Sequence, residues 1–317
     1  MANFIDLTGL TYSGKEAQEI FSKDIYDIDL RQYGITFMDG VKGKTKLYNG
    51  EIGDAWQVYT CPFTPAGAAS LAESFIEPSA IKVNQENCYD TFWNTFLVDQ
   101  TAISLNGGIP QTFAEWYFGK LRAKMAKEYQ EIFWQGDTAR TATTKVYLKA
   151  ADGIEKKLNA SVPSGNTIEL SAITVDNVIA QVESVILKGI EVANTNEVDT
   201  EGYKVFMNHA DLRVLEVALG KLGAANSVNN IFNNYARQDG RIFVMGYEIV
   251  PTMQSKNSII FGPARNLVLG FDSFDSHLEY KLLDLREVTG DNMFRVIAIS
   301  NIATGIIMPD LFVYATV

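Results

Sequence analysis

Residues 112–137, TFAEWYFGKLRAKMAKEYQEIFWQGD, set the first limit on what this chain can become. Phe113, Tyr117, Leu121, Met125, Tyr129 and Phe133 recur every four residues, and Trp116 and Ile132 widen the stripe. One face of a helix is therefore apolar along its whole length. Thr112 and Glu115 have capping-box spacing, and Pro110 discourages an earlier helical turn. Gly136 stands where a left-handed C′ residue closes a helix. The pattern predicts a helix over 112–136, a rod of roughly 35 Å. That is long for a globular domain and raises the question of whether the rod carries a site or acts as a beam. Lys120, Arg122, Lys124 and Lys127 fall away from the apolar stripe and read as a solvated basic face.

The rest of the chain can bury such a rod. Its 317 residues are 47% hydrophobic, enough for two domains or one large one with an insertion. The formal charge of −11 and a pI near 4.8 repel nucleic acid and anionic membranes as a whole. MANFIDLTGL has no basic residue before its short apolar run, and nowhere do 18 apolar residues stand together, so neither a secretion signal nor a membrane span is expected. Two cysteines, Cys61 and Cys88, are too few for a disulfide framework and read as reduced packing residues.

Residues 1–50 have little periodicity and read as an arm, with a short helix expected at Ser13 to Phe21. DAWQVYT, residues 54–60, has strand character, and Ala80 to Val83 is read as its returning strand after TPAGAASLAES. The result is an extended loop over 51–84, longer than connections in compact domains usually are. Asn87 to Leu97 reads as a short aromatic helix. After the long helix, Asp152–Gly153 turns into another short helix, and Asp176 to Lys188 is amphipathic and expected to stop at Gly189. Tyr203 to Met207 is a strand, and Asn208 caps a helix running to Gly220. The asparagine-rich AANSVNNIFNNYARQDG precedes two strands, RIFVMGYEIVP and SIIFGP. HLEYKLLDLREV, a TGDN turn, MFRVIAISNIATGIIM and LFVYATV return to β structure.

Catalytic chemistry is sparse. His209 sits in NHAD, where Asn208 and Asp211 are explained as a cap and a first-turn acid. His277 follows Asp272 and Asp275 in FDSFDSHLEY, a weak metal-site pattern better read as a solvated loop. GxSxG, HExxH and the full phosphate loop GxxxxGK[ST] are all missing, and LGKLG at 219–223 lacks the upstream glycine of a phosphate loop. Glu73 and Glu77 have acid-pair spacing without a partner base. No enzyme, cofactor or metal is expected.

The order of parts is similar to that of the major capsid proteins of tailed bacteriophages, the Hong Kong 97-like α+β fold. ITVDNVIAQVESVI, YKVFMNHADLRVLEVAL and MGYEIVPTMQSKNSIIFGPARNLVLGFD resemble that family's axial domain, and FRVIAISNIATGIIMPDLFVYA resembles its closing peripheral strands. The resemblance implies an N-terminal arm (1–50), an extended loop (51–84), a peripheral domain (85–170) with its spine helix, an axial domain (171–265) and closing peripheral strands (266–317). It implies pentamers and hexamers of the chain in an icosahedral shell, assembled in a bacterial host's cytoplasm, with scaffold, portal and decoration proteins as further partners. Double-stranded DNA would be enclosed without sequence-specific contact. The same fold builds encapsulin compartments around an enzyme cargo, which is the alternative; an α/β hydrolase is a more distant one. On this reading Ala66, Leu71 and Phe75 contribute apolar contacts to a neighbour, Glu73 or Glu77 meets the basic helix face in trans, and Asn229, Asn230, Asn233 and Asn234 face the capsomer axis. Some family members weld subunits through a loop lysine; here Lys82 alone lies between Lys46 and Lys120, so non-covalent shells are expected.

Overall fold

The computed structural model describes residues 11–13, 29–52, 56, 61, 69–105, 113–141, 144–225, 235–238, 241–272, 279–286 and 289–317. The first strands are β1 (Thr11–Ser13), β2 (Thr36–Met38), β3 (Thr45–Ile52), β4 (Ala69–Ile76) and β5 (Ser79–Cys88). Helices α1 (Tyr89–Leu105), α2 (Phe113–Gln135) and α3 (Ile154–Ser161) follow, then β6 (Thr167–Glu169), α4 (Val178–Thr195), β7 (Tyr203–Asn208) and α5 (His209–Ala225). The chain closes with β8 (Tyr235–Gln238), β9 (Arg241–Val244), β10 (Tyr247–Thr252), β11 (Ser258–Pro263), β12 (Leu267–Gly270), β13 (Glu279–Asp284), β14 (Met293–Ile306) and β15 (Val313–Thr316).

The long helix forms as its periodicity dictates. All eight stripe residues, from Phe113 to Phe133, are buried. They lie on a six-stranded sheet ordered β1-β13-β14-β12-β2, with β5 against β14. Phe294, Val296, Ala298 and Ile302 alternate along β14 to meet the helix, each buried large side chain contributing about 1.5–3 kcal/mol. At the amino end of α2 the rings of Tyr89, Phe96, Phe113, Trp116, Tyr117 and Phe294 pack at 4.9–6.2 Å, half of the pairs edge to face and the rest tilted or stacked.

Gly136 does end the helix, but not by a left-handed turn: its φ is not positive. A Cβ there would lie 2.2 Å from the Ala151 carbonyl oxygen, and one on Gly153 would lie 2.5 Å from the Gly136 nitrogen. Two glycines let the chain cross itself, joined by the Gly153 N–H donating to the Gly136 carbonyl at 2.8 Å.

The second sheet has seven strands, β6-β15-β11-β7-β10-β9-β8, with β7 and β10 parallel. Its central strands are buried on both faces. Val205 and Met207 with Ile259 and Phe261 face α4 and α5, while Phe206, Val250 and Ile260 join the core around α2, where Trp134 meets Phe206 at 5.3 Å. The two cores are thus two sides of one sheet.

Several expectations are corrected. Ala80–Val83 belongs to β5, which pairs with β14; the loop hairpin is β3 with β4, in register from Thr45↔Ile76 to Ile52↔Ala69. The aromatic helix extends to Leu105. Helix α4 runs through Gly189 to Thr195 because Gly189 faces the Phe261 ring, where a Cβ would come within 2.0 Å, and α5 runs past Gly220. RIFVMGYEIVP is a hairpin: Met245 (φ 52°) and Gly246 (φ 85°) make the left-handed two-residue turn between β9 and β10. Ser13 is a strand residue, and the helix expected to follow it lies outside the described residues, as do most of the 54–60 strand and Thr112. Among the described residues no helix is long and apolar enough to cross a membrane.

Candidate functional site

The hairpin of β3 and β4 stands apart from both large sheets and is fixed at its root. Leu47 and Ile76 are buried with Val41, Val268 and Ala303. Gly270 and Gly305 make the notch that receives them, since a Cβ at either would come within 2.6 Å of Ile76 Cδ1 or 2.9 Å of Leu47 Cδ1. The Ser74 hydroxyl donates to the Ile306 carbonyl at 2.8 Å. The hairpin and the chain after β3 also carry exposed aromatic rings. Tyr48 is 57% exposed, Phe75 44% and Trp56 95%, an apolar load that a solitary subunit leaves in water.

Residues expected at subunit contacts are scattered. Leu71 lies on β4 opposite Gly50, Phe75 is exposed with the Lys44 ammonium 4.4 Å from its ring centre, and Ala66 lies outside the described residues. Glu73 already has a partner across the hairpin, Lys46 at 2.7 Å. Lys120 reaches Asp99 at 3.2 Å and Lys124 reaches Glu128 at 3.2 Å; Arg122 is half-buried, and Lys127 is exposed. Asp99 also accepts from Trp116 Nε1 at 2.8 Å, and these two bonds hold its carboxyl below the usual range. Glu77 is exposed just beyond β4. Asn229, Asn230, Asn233 and Asn234 lie outside the described residues, as do Asp275 and His277. Asp272 is buried, its N–H donating to Asn301 Oδ1 at 2.7 Å. Among the described residues no three metal-ligating side chains gather. Cys61 is exposed, which corrects its reading as a packing residue, while Cys88 is half-buried at the end of β5.

The joint between the long helix and the seven-stranded sheet carries residues that sequence reasoning missed. The turn Met253–Asn257, linking β10 to β11, is gripped by polar groups from several elements. Gln135 at the end of α2 donates to the Met253 carbonyl, and Asn208 donates to that of Gln254. Asp211 of α5 accepts from the Asn257 N–H at 2.7 Å, and Asn257 Oδ1 accepts from the Ile173 N–H at 2.9 Å. Glu155, in the first turn of α3, accepts from the Ser255 N–H at 3.1 Å, from Ser255 Oγ at 2.7 Å and from Ser258 Oγ at 2.8 Å. Burial pushes the carboxyls of both Glu155 and Asp211 up, against hydrogen bonds that pull them down. The only trace in the sequence is Gln254 with Ser255 and Ser258 beside an apolar run, which resembles any polar turn.

Two cavities open among the described residues. One, of about 380 Å³, opens between His209, Arg213, Arg241 and Glu248, where Arg213 pairs with Glu216 at 2.5 Å and Arg241 with Glu248 at 3.3 Å. The other, of about 290 Å³, lies between α2 and the edge of β5 and is lined by Met125, Tyr129, Val146 and Lys82. Neither assembles a nucleophile with a base.

No protein-family model and no curated protein matches the chain. Solved structures do. A chain of the satellite phage P4 procapsid with its size determination protein superposes with a TM-score of 0.59 at 10% identity, covering 94% of this chain and 98% of that one. The capsid of Myoviridae phage XM1 gives 0.52 at 10% identity, with 91% of each chain covered. The capsid of a native GTA particle gives 0.51 at 10% identity, covering 91% of this chain and 89% of that one.

Proposed function

With the fold of tailed-phage major capsid proteins as the premise, we propose that this chain is a structural shell protein whose copies assemble into a closed icosahedral capsid around a phage genome. The observation that carries the proposal is the hairpin: seated at its root in the Gly270 and Gly305 notch, forming a sheet of its own, and carrying the exposed rings of Tyr48 and Phe75. Such a lever is stable only when a neighbour covers it, and closed symmetry supplies that neighbour to every copy.

On this reading α2 is a beam that holds the six-stranded sheet, residues 171–265 are the axial domain and share the seven-stranded sheet with β6 and β15, and the arm is confined to the chain before β2, since β2 and β3 belong to the six-stranded sheet and the hairpin. The chain needs no cofactor, performs no catalysis, and would meet scaffold, portal and decoration proteins in the host cytoplasm and the virion. The charge of −11 fits enclosure of DNA without tight adhesion to it. Size-exclusion chromatography and electron microscopy of the purified chain test the reading. Closed particles are expected; a folded, strictly monomeric chain at high concentration and across salt conditions would overturn it. Nucleic acid inside particles from infected cells, and not an enzyme, separates a capsid from a cargo compartment.

A further inference from the structure

Among the described residues strand β5 is flanked on one side only: its ten residues pair with β14 and with no other strand. An edge of that length, with neither proline nor glycine, is a template for another strand. Its two faces differ. Gln85 and Asn87 bond the Tyr117 hydroxyl at 2.9 and 3.0 Å, so odd-numbered side chains face α2. Ala80, Lys82, Asn84 and Glu86 occupy the opposite face and are exposed.

That exposed face has a charge pattern that is its own complement. In SAIKVNQENC, Lys82 and Glu86 stand two places either side of Asn84. A second β5 laid antiparallel with Asn84 opposite Asn84 puts Lys82 of each copy against Glu86 of the other, twice. Centring the pair on Val83 or Gln85 loses both contacts, so the charges select one register. Glu86 is held in place by Arg295 of its own chain at 2.5 Å, and its side chain remains 41% exposed. A two-fold axis perpendicular to the sheet would join the two six-stranded sheets into one and leave both long helices on the same face.

We propose that β5 is the seam of a two-fold contact between two copies of this chain, paired antiparallel about Asn84. The proposal rests on the shell reading and adds to it which surface two subunits share. The test uses the full-length chain. With Cys61 and Cys88 changed to serine, Asn84→Cys should give a disulfide-linked dimer on a non-reducing gel, because opposed residues stand within the Cα range of about 4.4–6.8 Å that a disulfide needs. Ala80→Cys in the same background should give none, its mate lying roughly 27 Å away. With Cys88 retained, Ala80→Cys should link, because that register sets position 80 opposite Cys88. Independently, Lys82→Glu alone and Glu86→Lys alone each oppose like charges and should weaken association on the order of tenfold. An equimolar mixture of the two should recover it, since each then meets its complement. Shells without the Asn84→Cys dimer, or a mixture no better than its components, overturn the seam and leave the capsid reading intact. A linked dimer that never closes into particles upholds the seam and overturns the shell.

Discussion

The same substitution made twice on one helix should have opposite signs. Gly119 lies on the exposed side of α2 with nothing within 4 Å of where a Cβ would stand, whereas Gly136 at its end faces Ala151 O at 2.2 Å and Ile132 O at 2.6 Å. A carbon and a carbonyl oxygen settle at about 3.3–3.6 Å, so Gly136→Ala requires a backbone shift on the order of 1 Å. Such overpacking costs about 1–3 kcal/mol. Loosening the bond from the Gly153 N–H adds about 1 kcal/mol, and the reduced entropy of the unfolded chain returns about 0.4–1 kcal/mol. Gly136→Ala is thus expected to destabilise by about 2–3 kcal/mol. Gly119→Ala is expected to stabilise by about 0.8–1 kcal/mol through helix propensity alone. Urea unfolding of unassembled subunits, followed by far-ultraviolet circular dichroism, measures both. A Gly136→Ala variant within about 0.5 kcal/mol of the parent would refute the crossing of the two glycine segments as the reason the helix stops.

Three further outcomes are expected. Glu155 has a folded pKa above its ordinary 4.5, so its contribution to stability is complete below that value and is lost as pH rises through the folded one. The stability difference between the parent chain and Glu155→Gln should therefore shrink as pH climbs from 4.5 towards neutrality, and a flat difference in pH-dependent urea unfolding would contradict it. Gly189→Ala drives a methyl into the Phe261 ring and should destabilise by about 1–3 kcal/mol, with unfolding midpoints as the readout. Particles boiled in detergent should run as one band near 35.1 kDa, and ladders surviving reducing agent would point to a covalent weld through Lys82.

The long helix and the closing strands were legible because their burial is periodic within one chain. The every-fourth-residue stripe on α2 and the alternation along β14 report contacts that lie on a single face. Boundaries failed at two of the glycines read as punctuation, although Gly136 does end its helix. Gly189 and Gly220 sit inside helices, and Gly189 is there for the Phe261 ring and not for a turn. Composition cannot separate a glycine chosen for its φ from one chosen for the space its missing Cβ leaves. The hairpin was misassigned for a related reason. Thr45–Ile52 and Ala69–Ile76 have weak alternation, since among the described side chains the ribbon is anchored at Leu47 and Ile76.

Surfaces that serve an assembly escape sequence reading more completely, because in a lone chain they satisfy nothing. The turn Met253–Asn257 shows what that costs and what it permits. Four elements reach it through Gln135, Glu155, Asn208 and Asp211, so hydrogen bonds add to the apolar seam of Trp134 and Phe206 in setting the angle between the beam and the seven-stranded sheet. An apolar seam alone would resist small rotations less, since the hydrophobic effect itself has no direction. Hydrogen bonds weaken steeply once their angles are lost, so this joint favours one angle. The hairpin root, seated in the Gly270 and Gly305 notch, fixes a second angle by close packing. On the proposed shell reading, a subunit with both angles fixed presents its exposed aromatics and its β5 edge at constant positions, and repeated association at constant positions closes a shell instead of growing an irregular aggregate.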